Sequence, residues 1–147
     1  MGLHAPKGTR LMAIDPYLPY DEENVVTSRG VAVGTPEEFR QTVEYFGTFD
    51  VSLIRQSSAE AAERFERESL DLVLVDGNHS YSHALFDLTT WWEKLKPGGT
   101  MLLHDLSGRF PGVVRAAKEF EGKTRVRFSL PIGSTLAWAK KPASGEA

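Results

Sequence analysis

The sequence contains no cysteine. Disulfides, thiolate nucleophiles and cysteine-based zinc sites are therefore excluded, and the composition agrees with a cytoplasmic setting. Positive charge is not in excess: 17 Lys and Arg stand against 20 Asp and Glu, a formal net charge of −3. Nothing favours nucleic acid as a partner, because phosphate binding needs cations to neutralise it. The basic residues are scattered, with no polybasic run. No stretch reaches the roughly 20 consecutive apolar residues of a membrane span. Met1 to Arg10 lack the apolar core of a secretory signal. What remains is ordinary: 147 residues, 41% hydrophobic and 25% charged. That fits one soluble domain over residues 1–141, with a small, polar tail at 142–147 expected to fray.

The apolar pattern alternates between strands and helices. Leu11-Met12-Ala13-Ile14 is a short apolar run ended by Asp15-Pro16, the look of a buried parallel strand. Tyr17 to Gly34 is polar and weakly periodic and reads as a loop. Thr35-Pro36-Glu37-Glu38 predicts a helix start, with a Thr cap, Pro at the first helical position and acids in the first turn. Phe39, Val43 and Phe46 share a face of that helix, and Gly47 closes it. Val51 to Arg55 reads as a second strand and Ser58 to Glu68 as a charged helix. Leu72-Val73-Leu74-Val75 is the clearest buried strand. His83 to Leu95 reads as a helix, Pro97-Gly98-Gly99 as a turn, and Thr100 to Leu103 as a strand. Pro111-Gly112 precedes a helix from Val113 to Phe120. Thr124 to Leu130 and Ser134 to Ala139 read as an antiparallel pair. The whole is an α/β sheet with helices on both faces and a C-terminal hairpin.

Chemistry-bearing residues gather at strand ends. Asp15, Asp76 and Asp105 each follow a strand, and in an open parallel sheet ligands bind outside the carboxyl ends of strands. Asp76 and Asp105 follow strands expected to be neighbours. With His79 and His104 they form a candidate cluster for a hard metal or for proton transfer. The bland alternative is that such acids merely cap turns. Gly77-Asn78-His79 also occurs in metallophosphoesterases, but the companion Asp/His clusters of that chemistry are absent upstream. His83 is expected at the solvent face of a helix start, and His4 carries no specific role. Trp91 and Trp92 are adjacent, so one should pack on the sheet and the other remain partly exposed.

Taken together, the motifs resemble a family. They are Asp71-Leu72-Val73-Leu74-Val75-Asp76-Gly77-Asn78-His79-Ser80-Tyr81, Asp87, Trp92, Leu95-Lys96-Pro97-Gly98-Gly99, Leu102-Leu103-His104-Asp105, Pro111-Gly112-Val113 and Gly133-Ser134-Thr135-Leu136-Ala137. They look like the later part of class I S-adenosylmethionine-dependent methyltransferases. More narrowly, they resemble the methyltransferase-24 group, related to catechol O-methyltransferase-like and cephalosporin-hydroxylase-like proteins. Asn78 departs from the Asp usual there. The resemblance implies that Asp15 holds the cofactor ribose, since a carboxylate accepts two hydrogen bonds from a diol. It implies that Ser57 and Ser58 border the adenine and that Asp76 lies near the methyl donor. It further implies that Asp76, His104 and Asp105 are metal ligands or, with His79, supply the base. Two acids suit Mg²⁺, and a histidine shifts the preference toward another divalent metal.

The family fold opens with a strand and a glycine-rich turn, and neither is found here before the strand ending at Asp15. That strand would sit between the second and fourth strands of the sheet. A central strand of about 5–6 residues makes about ten ladder bonds. At roughly 0.5–1.5 kcal/mol each, they compare with a domain's whole stability of about 5–15 kcal/mol. Three outcomes are open: the flanking strands pair directly, a partner supplies the strand, or the recorded start is displaced. The chain alone is therefore expected to bind S-adenosylmethionine weakly or not at all and, with exposed strand edges, to tend to self-associate as a homo-oligomer.

The leading functional expectation is a methyltransferase acting on a small-molecule acceptor by O-methylation. A second, of another class, is a non-catalytic remnant of the fold that binds a partner or small molecule. A third is a metal-dependent hydrolase built on Asp76, His79, His104 and Asp105.

Overall fold

The computed structural model describes residues 8–17, 35–46, 50–143 and 145. The Tyr17–Gly34 loop beyond Tyr17, the closing Gly47 and His4 lie outside the described residues. The chain divides between Ala61 and Ala62 into two compact units, and its strands fall into two sheets rather than one.

The first unit is a parallel β–α–β repeat. Strand β1 (Arg10–Ile14) pairs in register with β2 (Asp50–Ile54), with Ile14 opposite Ile54. Helix α1 (Pro36–Phe46) intervenes. Its start is a reciprocal cap: Glu38 N donates to Thr35 Oγ1 at 3.1 Å, and Thr35 N donates to the Glu38 carboxylate at 2.7 Å. β1 is less buried than its apolar run implies, with Leu11 47% and Met12 38% exposed. Among the described residues β1 pairs with β2 alone, and such a strand is less enclosed than a central one. α2 (Ser58–Ala62) is much shorter than the Ser58–Glu68 helix read from charge and spacing. Past it the chain turns, and Phe65 packs edge-on against Trp91, centroids 5.4 Å apart.

The second unit holds β3 (Leu70–Val75), α3 (Tyr81–Lys94), β4 (Leu95–Leu103), α4 (Pro111–Thr124) and β5 (Ala137–Lys140). β3 and β4 run parallel, as the intervening helix requires, and β5 joins antiparallel to β4. One sheet face buries Val73, Val75, Met101, Leu103, Ala137 and Ala139. Above it α3 buries Ala84, Leu88 and Trp91, and α4 buries Val113, Ala116, Ala117 and Phe120, each set at helical spacing. Burying each large apolar side chain contributes roughly 1.5–3 kcal/mol. Trp92, beside buried Trp91, is half-buried and meets Phe120 edge-on at 5.2 Å. On the other sheet face Leu72 and Leu74, read from sequence as part of a buried strand, are 55% and 52% exposed, and Trp138 is 45% exposed.

Two further expectations need correction. Pro97-Gly98-Gly99 is not a turn before β4 but an irregular part of it, where Leu70 pairs Leu95 and Leu72 pairs Thr100. Gly98 takes φ +79°, a conformation only glycine adopts freely, and its N–H donates to Lys141 O at 2.9 Å. The Thr124–Leu130 strand is also not formed: α4 continues to Thr124, and the antiparallel contact with the last strand is a single bridge, Ser129 with Trp138. The reason is local. Arg125 turns left-handed at φ 59°, and Glu121 captures the next residues by accepting from Phe128 N at 2.7 Å and Arg127 at 3.1 Å.

The end of β5 is tied to the end of α3. Lys141 Nζ donates to Leu95 O at 2.7 Å and Trp92 O at 3.1 Å, carbonyls that a helix end leaves without partners. Among the described residues no helix is long and apolar enough to cross a membrane.

Candidate functional site

The parallel pairing of β3 with β4 brings their two following segments side by side. Val75 lies opposite Leu103, and His104 N donates to Val75 O at 3.0 Å. Asp76 and His104-Asp105 are thus neighbours by register. His104 Nδ1 lies 3.1 Å from Asp76 Oδ1 and 3.2 Å from Asp105 Oδ2. On the other side, His79 Nε2 lies 2.9 Å from Asp105 Oδ2. The result is a continuous line, Asp76–His104–Asp105–His79, in which acids and imidazoles alternate. Asp105 and His79 are the sheltered members, with side chains 20% and 19% exposed, whereas His104 and Asp76 are open to solvent.

Local structure holds each member. Asp105 has φ +56°, and its neighbour Leu106 N donates to Thr135 O at 2.9 Å, which anchors the turn to the segment before β5. Asn78 Oδ1 accepts from Ser80 N at 2.8 Å, an Asx turn that starts α3. An Asp there would make the same bond, so the departure at Asn78 leaves the loop intact. His79 stacks on Phe110, centroids 4.1 Å apart and planes 21° from parallel. A cavity of about 10 Å³, at the lower limit for one water, lies among Asp76, His79, Ala84, His104 and Val113. The ligand atoms of Asp76, His79 and Asp105 all lie within 4.8 Å of one another, a spacing that can hold a metal ion.

The predicted cofactor residues Asp15, Ser57 and Ser58 lie in the first unit. Asp15 follows β1, is exposed, and its Oδ1 accepts from Tyr17 N at 2.6 Å. Burial, then the negative charge of Asp15, raises the Tyr17 phenol above its ordinary pKa. Ser57 follows β2 and has a structural task. Its Oγ donates to Glu60 Oε2 at 2.6 Å and accepts from Glu60 N at 3.3 Å, capping α2. Ser58 is the first residue of α2. His83 is exposed at the start of α3, with Nδ1 2.8 Å from Ser80 Oγ.

Sequence reasoning missed Phe110 and Thr135. An aromatic residue directly before a helix-starting Pro-Gly was the available signal for Phe110. Thr135 acts through its backbone, so its side chain gave none.

Strand–helix–strand units with acids and histidines after parallel strands define an α/β protein of the class I methyltransferase type. The chain belongs to the methyltransferase-24 family, described as "Methyltransferase domain", which it matches over residues 2–106. It is similar to the uncharacterized protein y4gI of Sinorhizobium fredii, 38% identical over 60 residues, which are 41% of this chain and 7% of that protein. In fold it is similar to the O-methyltransferase NovP, at 16% identity and TM-score 0.68, covering 89% of this chain and 59% of NovP. It is also similar in fold to the Burkholderia thailandensis 1,6-didemethyltoxoflavin-N1-methyltransferase, whose crystal structure holds its substrate and S-adenosylhomocysteine. That match has 13% identity and TM-score 0.52, over 92% of this chain and 62% of that one. The chain thus spans about 60% of the length of these two enzymes.

Proposed function

We propose that this domain serves an S-adenosylmethionine-dependent methyl transfer to the hydroxyl of a small-molecule acceptor. The observation that carries the reading is the line Asp76–His104–Asp105–His79 at the ends of two adjacent parallel strands. His104 Nδ1 faces two carboxylates at 3.1 and 3.2 Å, which favour the tautomer with the proton on Nδ1. Its Nε2 has no partner among the described residues and is then the basic nitrogen. His104 accepts the acceptor's hydroxyl proton at Nε2 as the oxygen attacks the methyl group. S-adenosylmethionine, when bound, would supply the methyl group and become S-adenosylhomocysteine, and the proton would rest on a His104 imidazolium stabilised by Asp76 and Asp105. General-base help of this kind is worth about 10²–10⁴-fold. His104→Gln should lower transfer from radiolabelled cofactor to a responsive phenolic acceptor by about that factor, and full activity would remove His104 from the chemistry.

Asp15 is the proposed ribose ligand: it follows a parallel strand, is exposed, and its Oδ1 is oriented by Tyr17 N. A hydrogen bond to a charged group is worth about 1.5–3 kcal/mol, so Asp15→Ala should weaken cofactor binding about tenfold or more. Calorimetry decides. Equal affinities remove Asp15 from the site, and no binding at millimolar cofactor overturns the cofactor reading for this chain.

The spacing of Asp76, His79 and Asp105 favours a second reading, in which the same cluster holds a divalent metal. Two carboxylates and an imidazole suit Mn²⁺, Fe²⁺ or Zn²⁺ better than Mg²⁺, which prefers oxygen alone. A bound metal would supply Lewis acidity toward the acceptor oxygen. Asp76, His79 and Asp105 would hold the ion, and His104 would remain beside Asp76 and Asp105. Calorimetry with Mn²⁺ and Zn²⁺ tests it: Asp105→Ala should abolish binding, and no heat in the parent protein removes the metal.

A further inference from the structure

Phe110-Pro111-Gly112 has no part in the chemistry above, yet both Phe110 and Gly112 lie against His79. The Phe110 ring lies against the imidazole, 4.1 Å between centroids and 21° from parallel. Gly112 lies so close to the His79 peptide that a Cβ on it would stand 2.3 Å from His79 O and 2.8 Å from Tyr81 N. Real Cβ atoms essentially never come within 3.0 Å of such atoms. The segment is itself firmly placed. Phe110 N donates to Ser107 O at 3.0 Å, Phe110 O accepts from Val114 N at 3.2 Å, and Pro111 sets the first helical φ. On its far edge the imidazole meets Asp105, Nε2 to Oδ2 at 2.9 Å.

We propose that Phe110 and Gly112 are positioning residues for His79. Phe110 sets the plane of the imidazole, and Gly112 lets the backbone of α4 seat against the peptide that carries it. Together they present Nε2–H to Asp105, so the start of α4 fixes one end of the acid–imidazole line. The inference rests on the reading of His79 as a member of the functional cluster.

The test is nitrogen-15 NMR of histidine-labelled protein at one pH in the presence of a chelator. In the parent protein His79 should show the Nε2–H tautomer. Phe110→Leu keeps an apolar side chain but removes the flat face. It should shift the His79 signals toward the tautomer mixture of free imidazole, with those of exposed His83 unchanged. Phe110→Tyr should restore the parent signals. Gly112→Ala should move His79 in the same direction, and if that variant does not fold, Phe110→Leu decides alone. A Phe110→Leu protein with lowered stability but unaltered His79 signals would make Phe110 a packing residue only and overturn the proposal. The readout needs neither cofactor nor acceptor. A failure of the methyl-transfer reading therefore shows in calorimetry and is distinguishable from a failure here.

Discussion

Lys141→Met tests whether the tie between β5 and α3 matters as its geometry implies. The substitution keeps the apolar stem and removes the ammonium, so little transfer energy is lost. Two helix-end carbonyls, Leu95 O and Trp92 O, lose a charged donor at 2.7 and 3.1 Å. The Lys141 side chain is only 15% exposed, so water replaces that donor poorly. Its 3.6 Å approach to Glu68, a carboxylate 52% exposed, adds little. A hydrogen bond to a charged group contributes about 1.5–3 kcal/mol, and the two share one ammonium, so a total loss of about 2–3 kcal/mol is expected. For a chain of this size Tm falls by about 2–4 °C per kcal/mol, giving a drop of about 4–12 °C. Tryptophan fluorescence in urea is the assay, because Trp91, Trp92 and Trp138 all lie in the second unit. The midpoint should fall with the slope unchanged, since the same surface unfolds. Lys140→Met, at an exposed neighbour, is the control and should stay within about 0.5 kcal/mol. Equal effects of the two substitutions would refute the tie.

Three other outcomes follow from the packing. Tyr81 OH donates to Glu119, and that bond, followed by desolvation, raises the phenol above its ordinary pKa. The stabilisation is therefore complete below about pH 10 and is lost as pH rises through the raised value; Glu119→Gln should return Tyr81 toward the ordinary range in an ultraviolet titration. Leu88→Ala, at a fully buried position, should cost about 2–5 kcal/mol by urea unfolding. Leu74→Lys, at a 52% exposed position, should change stability by no more than about 0.5 kcal/mol.

The sequence carried the elements that local chemistry dictates. Thr35 and Pro36 mark the start of α1, Pro111 marks that of α4, and the apolar runs before Asp15, Asp76 and His104 are β1, β3 and β4. The proximity of Asp76 to Asp105 was also legible, because parallel strands joined by one helix end at the same edge. Less legible was anything set by distant packing. Residues 125–130 have strand-forming composition, but Glu121 holds them in another path. Leu72 and Leu74 have the composition of an enclosed strand, yet pattern alone cannot say whether a second layer covers them. Pro97-Gly98-Gly99 has the chemistry of a turn, and only the bonds of Gly98 and Gly99 to Lys141 show that it continues a strand. The meeting of His79 with Phe110, 31 residues along, depends on where α4 starts relative to α3.

The left-handed backbone at Asp105 restricts which residue types can occupy the position. A φ of +56° favours glycine, Asn and Asp, although Glu68 and Arg125 adopt the same region in this chain. Glutamate, the ordinary exchange for an aspartate, adopts that shape less readily than Asn does. The backbone at this position therefore accepts a change of charge more readily than a change of length. A step to Asn would keep the turn and both histidines in place while removing the negative charge they share. In related chains, the identity of this one residue would separate domains that retain an ionic acceptor between two imidazoles from those that keep only its shape.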